Sequence, residues 1–191
     1  MPGHPRVDAG DGLVRQHELL EQLNEDISSA YIALERDRSS QYLRRCVVRA
    51  IFSFIEAIIE SIKWELRSSI RAGHFTGQLS AKEQETLGSL HLIGKRNDSF
   101  LPLDQNIKRT FSLAAKIWQL EGFRLNTDKD EFRDFQAAKS ARNRLTHPKT
   151  VYDIEVTDED MHSHTTAAIW VKTELERLMR ARIAALKSEI N

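Results

Sequence analysis

Residues 47–66 carry two adjoining apolar rows, and that pattern limits what the chain can fold into more than any other. Val47, Ile51, Phe54, Ile58 and Ile62 form one row; Val48, Phe52, Ile55, Ile59 and Leu66 form the next. At about 100° per residue the two rows lie side by side, so a helix over residues 41–72 has a wide apolar surface. Such a helix must be covered by other elements on most of its circumference. One polar stripe remains, made of Arg49, Ser53, Glu56, Glu60, Lys63 and Arg67. Gly73 stands where a helix C-terminal cap prefers glycine.

The elements available to cover it are also helical. Leu13, Leu20, Leu23, Ile27, Ala30, Tyr31 and Leu34 recur on one face and predict a helix over 13–38. Ser80 and Glu83 have the Ser-x-x-Glu spacing of a capping box and open a short helix to about residue 90. Residues 94–103 are expected to be loop. Asp104 can cap a helix to about residue 120, with Ile107, Phe111, Ala114 and Trp118 inward. After a loop over 121–127, Asp128 or Asp130 starts a helix that ends near residue 146. Residues 151–156 alternate weakly but have no evident partner strand, so 149–157 is expected as loop. Acids at 158–160 start a last helix, with Met161, Ala168, Val171, Leu175, Leu178 and Leu186 inward. This predicts an all-α bundle of five to six helices in one domain over 13–191. Residues 1–12 hold three of the eight glycines and two of the four prolines, and are expected to be a flexible tail.

Composition excludes some classes. Hydrophobic residues at 40% and charged residues at 29% fit a globular domain, not a disordered chain. Lys+Arg and Asp+Glu are both 28, which argues against a general nucleic-acid coat protein but leaves room for a local basic patch. With one cysteine, Cys46, no intrachain disulfide can form and no cysteine-based metal site is expected. Cys46 lies among apolar residues and is expected to be a buried, inert thiol. No apolar run reaches the roughly 18 residues of a membrane span, and residues 1–5 lack a hydrophobic signal region. The expected location is the cytoplasm.

The chemistry concentrates in Arg142-Asn143-Arg144-Leu145-Thr146-His147-Pro148. Phe132, Phe135 and Ala138 define the apolar face of the helix, and Arg142 falls about 20° from Phe135 on the wheel. Arg144 falls about 180° away and is expected to face solvent. An arginine on a packing face needs a partner or an interface, because an unpaired buried charge is costly. Its planar fork suits phosphate or carboxylate. Asn143 and His147, four residues apart, share an edge, and Pro148 ends the helix and frees the histidine. Histidine exchanges a proton near neutral pH. Arginine, amide and histidine together suit metal-independent phosphoryl transfer, with arginine stabilising charge and histidine as general acid or base. A structural alternative stands beside this one. Arg142 would then pair with Glu56 or Glu60 across the bundle, and His147 would cap helix carbonyls.

This stretch resembles the Arg-x(4–6)-His motif of the HEPN superfamily, including its asparagine after the arginine and its place at a helix end in an all-α bundle. The apolar stretch 49–57 with its embedded Glu56 is similar to a helix of such proteins. The resemblance implies a metal-independent endoribonuclease without cofactor, either a toxin or an antiviral defence effector, in which Arg142 and His147 are catalytic and Asn143 supports them. It implies attack of a ribose 2′-hydroxyl on the adjacent phosphate, giving a 2′,3′-cyclic phosphate and a 5′-hydroxyl. It also implies a homodimer whose two motifs line one cleft, and a possible antitoxin partner. A non-catalytic helical binding or scaffold protein is the competing expectation, and the neutral net charge favours it.

Lys139, Arg142, Arg144 and Lys149 give residues 139–149 four positive side chains and no acid, so Lys139, Arg144 and Lys149 are candidate RNA contacts. Asp153, Glu155, Asp158, Glu159 and Asp160 follow directly. Glu56 is the candidate acid to support Arg142. His162 and His164 are two apart and do not share a helix face, so no metal site is expected there, and His164 fits a core position. Trp64, Trp118 and Trp170 are spaced as core residues. No Gly-rich phosphate loop and no Ser/His/Asp arrangement stands out.

Overall fold

Ser40 and Gly73 bracket the helix on which the bundle is built. The Ser40 side chain accepts the Leu43 N–H at its start, and Gly73 at φ +79° closes its end in the left-handed region that glycine tolerates best. The computed structural model describes residues 9–88 and 101–190 of the chain. In it, α1 spans Ala9–Arg36, α2 Gln41–Arg71, α3 Ala81–Leu87, α4 Leu103–Ile117, α5 Asp130–Thr146 and α6 Asp158–Ile190, with a 3-10 turn at Val151–Ile154 between the last two. There is no strand among the described residues. The protein is an all-α bundle, and no described helix is long and apolar enough to cross a membrane.

Both apolar rows of α2 are buried, from Val47 to Leu66, and α2 touches each of the other five helices. Around it α4 contributes Ile107, Phe111, Ala114 and Ile117, α5 contributes Phe132 and Phe135, and α6 contributes Trp170, Val171 and Leu178. Trp170 packs against both α5 phenylalanines, each with ring centroids 5.2 Å away. These contacts join α5 and α6 into an antiparallel pair whose short connection carries the motif's C-terminal end.

Several local expectations change. α1 begins at Ala9, so Gly10 and Gly12 lie in its first turns, where a glycine costs only about 1 kcal/mol; residues 1–8 of the expected tail lie outside the described residues. Residues 94–100 of the expected loop lie outside them too. Pro102, not Asp104, occupies the N-cap of α4, and the Asp104 carboxylate instead bonds Lys139. α4 ends at Ile117, three residues early, as the chain turns through Gln119 at φ +52°. Leu186 is exposed, because the inward row of α6 continues through Ala181 and Ala185 and residue 186 lies about 100° away. Lys63 leaves the polar stripe and is buried beside its partner Glu60 at 2.7 Å. Cys46 is half-buried, not enclosed. Trp170 is buried, whereas Trp64 and Trp118 are half-buried.

His164 is a core histidine, as its spacing implies, and is fully enclosed between α2 and α6. Its ring meets Phe52 edge-on with centroids 5.5 Å apart. Nδ1 lies 2.5 Å from the Asp160 carbonyl oxygen, which can only accept, so the proton sits on Nδ1. Nε2 is buried without a hydrogen-bond partner. Burial holds the imidazole below its ordinary pKa, against the opposing pull of the Asp160 carbonyl. The unfolded chain therefore takes up a proton that the folded chain resists. Stability should be full above about pH 6.5 and should fall as the pH drops from there toward the lowered folded value. Urea unfolding at pH 7.5, 6.5 and 5.5 checks this. The wild type should weaken over that range, and His164→Leu should weaken less steeply whatever its absolute stability.

Candidate functional site

α5 is held by its apolar face and ends in a polar one. Phe132, Phe135, Ala138 and Ala141 are buried against the bundle. Arg142 follows at the rim of that face, with 27% of its side chain exposed. Its Nη2 donates to Glu56 Oε1 at 2.8 Å and its Nη1 to Asn143 Oδ1 at 3.3 Å. The guanidinium also sits 5.9 Å from the ring centroid of Phe52. The acid expected from the sequence is therefore the one found, while the alternative, Glu60, is taken by Lys63. Guanidinium has five donors, so a carboxylate and an amide oxygen leave it capacity for a further acceptor.

His147 caps α5. Its backbone N–H reaches the Asn143 carbonyl at 3.0 Å, its φ and ψ of −127° and 59° have left the helix, and its side chain is exposed. Asn143 is exposed one turn before it. Arg142, Asn143 and the C-cap His147 thus lie within a turn and a half of chain at the end of α5, with Asn143 and His147 exposed and Arg142 partly exposed. The apolar cleft of about 340 Å³ lined by Leu20, Ile58, Ile62, Leu175 and Met179 belongs to a different part of the bundle.

Arg144 does not face open solvent, contrary to the helical wheel. Its Nη1 donates to the carbonyls of Tyr152, Asp153 and Glu155 at 3.3, 3.1 and 2.7 Å, and its Nη2 pairs with Asp160 at 2.8 Å. The wheel describes an isolated helix, whereas the chain after Pro148 folds back over that side. Asp153 tightens the same turn by accepting the backbone N–H groups of Lys149 and Thr150 at 2.8 and 2.7 Å, and these bonds hold its carboxyl below the usual range. From α2, Arg45 reaches the Ile154 carbonyl at 3.0 Å. Gln41 exchanges two hydrogen bonds with the backbone of Val156.

The candidate RNA contacts separate accordingly. Lys139 is half-buried and bonded to Asp104 at 2.6 Å, and Arg144 is committed to the turn. Lys149 is exposed. Arg49, which the sequence places only in a polar stripe, gains a position here. It lies one turn beyond Arg45, docked on the 3-10 turn, and two turns before Glu56, docked on Arg142. The spacing 45, 49, 56 was the available signal, but it needed the packing of α5 against α2 to give it meaning. Asp160, too, carried a signal: a basic segment followed at once by an acidic one can close on itself. Among the described residues no group of three or more His, Cys, Asp or Glu could hold a metal ion, and His162 is exposed apart from His164.

No protein-family model, curated protein or solved structure matches this chain.

The two arginines should behave differently on removal. Arg144→Ala deletes several charge-assisted bonds that fix the 3-10 turn and its pairing with Asp160, and should cost about 2 kcal/mol. Arg142→Ala removes a half-exposed ion pair and should cost under about 1 kcal/mol. Urea unfolding of the two variants measures the difference, and equal losses would contradict this division of roles.

Proposed function

We propose that this protein is a metal-independent endoribonuclease of the HEPN kind, with Arg142 and His147 as its catalytic pair and Asn143 beside them. The observation that carries the reading is the edge at the end of α5. There a half-exposed arginine, with donors to spare, an exposed amide and an exposed histidine stand within one and a half turns. Glu56 orients the Arg142 fork without enclosing it. Lys149 and Arg49 supply exposed positive charge for backbone phosphates.

A single chain offers an edge, not a cleft, which supports action as a homodimer in which two such edges face each other. One His147 would take the proton from a ribose 2′-hydroxyl as its oxygen attacks the adjacent phosphorus. The other would give a proton to the departing 5′-oxygen. The products are a 2′,3′-cyclic phosphate and a 5′-hydroxyl. Arg142 would stabilise the charge that builds on the non-bridging oxygens. A role as a toxin or defence effector, with an antitoxin partner, belongs to the same proposal. A non-catalytic binding module is favoured by the Arg142–Glu56 ion pair and by the zero net charge.

Incubation with single-stranded RNA in EDTA separates the two. The wild type should cut and leave cyclic-phosphate ends, and His147→Ala should cut about 10²- to 10⁴-fold more slowly. Equal cleavage by both proteins, or none by either, would remove the catalytic reading. Light scattering tests the dimer: a monomer at micromolar concentration would remove the two-histidine mechanism.

A further inference from the structure

We infer that Tyr152 is a stacking platform for an unpaired nucleobase beside the Arg142–His147 edge, an assignment that rests on the endoribonuclease reading and adds a base subsite to it. The 3-10 turn that carries Tyr152 is fixed from several directions. Arg144 holds the carbonyls of Tyr152, Asp153 and Glu155, Arg45 holds that of Ile154, and Asp153 gathers the N–H groups of Lys149 and Thr150. All of that anchoring acts on the backbone of the turn. The Tyr152 side chain takes no part in it: it is 77% exposed, more than any other large hydrophobic side chain among the described residues. Its ring and hydroxyl make no ring contact or hydrogen bond there. Tyr31 shows the contrast, since it is half-buried with its hydroxyl 2.5 Å from Thr165 Oγ1. The backbone that carries the ring is already ordered, so covering the ring with a flat partner fixes only its two side-chain torsions.

Position and surroundings select the partner. Tyr152 is five residues from His147, so their backbones are at most about 17 Å apart, and the return of the turn onto Arg144 brings them closer. That is the span of a few nucleotides. Val151 is the one large apolar neighbour in the stretch 147–153; the rest of it is His, Pro, Lys, Thr and Asp. Two exposed apolar side chains, Val151 and Tyr152, do not by themselves make the centre of a stable protein interface, which buries about 800 Å² on each side, so the contact area of a homodimer comes from elsewhere on the bundle. An aromatic ring beside exposed cations is instead the pattern that holds single-stranded RNA, where bases stack on side chains and phosphates meet lysine and arginine.

The test uses full-length protein with His147→Ala, so that RNA stays intact, and a single-stranded oligonucleotide containing 2-aminopurine. Binding should quench the 2-aminopurine fluorescence by stacking. Adding Tyr152→Ala should abolish the quench and weaken binding about 5- to 150-fold, and Tyr152→Phe should restore both. The platform is overturned if Tyr152→Ala binds and quenches as before. It is also overturned if phenylalanine fails to restore binding, if Tyr152→Ala changes only the oligomeric state, or if no RNA binds. Cleavage by the otherwise native chain is followed separately. Stacking without cleavage would remove the nuclease reading and support the platform; cleavage with unaltered RNA affinity in Tyr152→Ala would do the reverse.

Discussion

Burial of α2 on nearly all sides decides where everything else can go. Its two apolar rows are covered by α1, α4, α5 and α6, and α3 closes its far end. A strip through Tyr42, Arg49, Ser53, Glu56 and Glu60 stays exposed, with Arg71 at the helix end. α5 comes to rest along that strip because Phe132 and Phe135 are locked against Trp170. The polar end of α5 is thereby delivered to the one polar side of α2. The Glu56–Arg142 pair is a consequence of apolar packing elsewhere, and at half exposure it adds little stability of its own.

Two arginines two residues apart then take opposite tasks. Arg144 satisfies three carbonyls on a chain segment that has no regular partner and would otherwise leave them to water, and it pairs with Asp160 in the first turn of α6. It fixes the connection between α5 and α6, and with it Tyr152 and the exit from His147. Arg142 is partly exposed, and among the described residues its side chain bonds only Glu56 and its neighbour Asn143. Its partner Glu56 keeps 47% of its side chain exposed. His164, two side chains away through Phe52, lies in the enclosed interior and belongs to the scaffold.

Much of the fold was legible in the sequence because it rests on apolar periodicity, which is local. The rows of α2, the capping box Ser80–Glu83 and the acids opening α6 all appear where their spacing places them. The pairing of Arg142 with Glu56 was also legible, since a charge on a packing face demands a partner and α2 offers few. Arg144 was misplaced for a physical reason. A helical wheel knows only its own helix, and the 3-10 turn that folds over Arg144 is built from irregular backbone that leaves no period in the sequence. Lys139 failed likewise as a free cation: its partner Asp104 lies in another helix and looked like a cap. The RNA chemistry proposed for the end of α5 rests on residue types and a resemblance, because His147, Asn143 and Lys149 have no packing role that would reveal a function.

We propose that Arg142, and not Arg144, is the arginine that meets an RNA phosphate. Nitrogen-15 NMR of the arginine side chains tests it most directly, with a single-stranded RNA carrying 2′-O-methyl groups throughout, which can bind but cannot be cut. The Arg142 guanidinium signals should shift on titration while those of Arg144 stay fixed. Unmoved Arg142 signals at saturating RNA, or a shift confined to Arg144, would contradict the account.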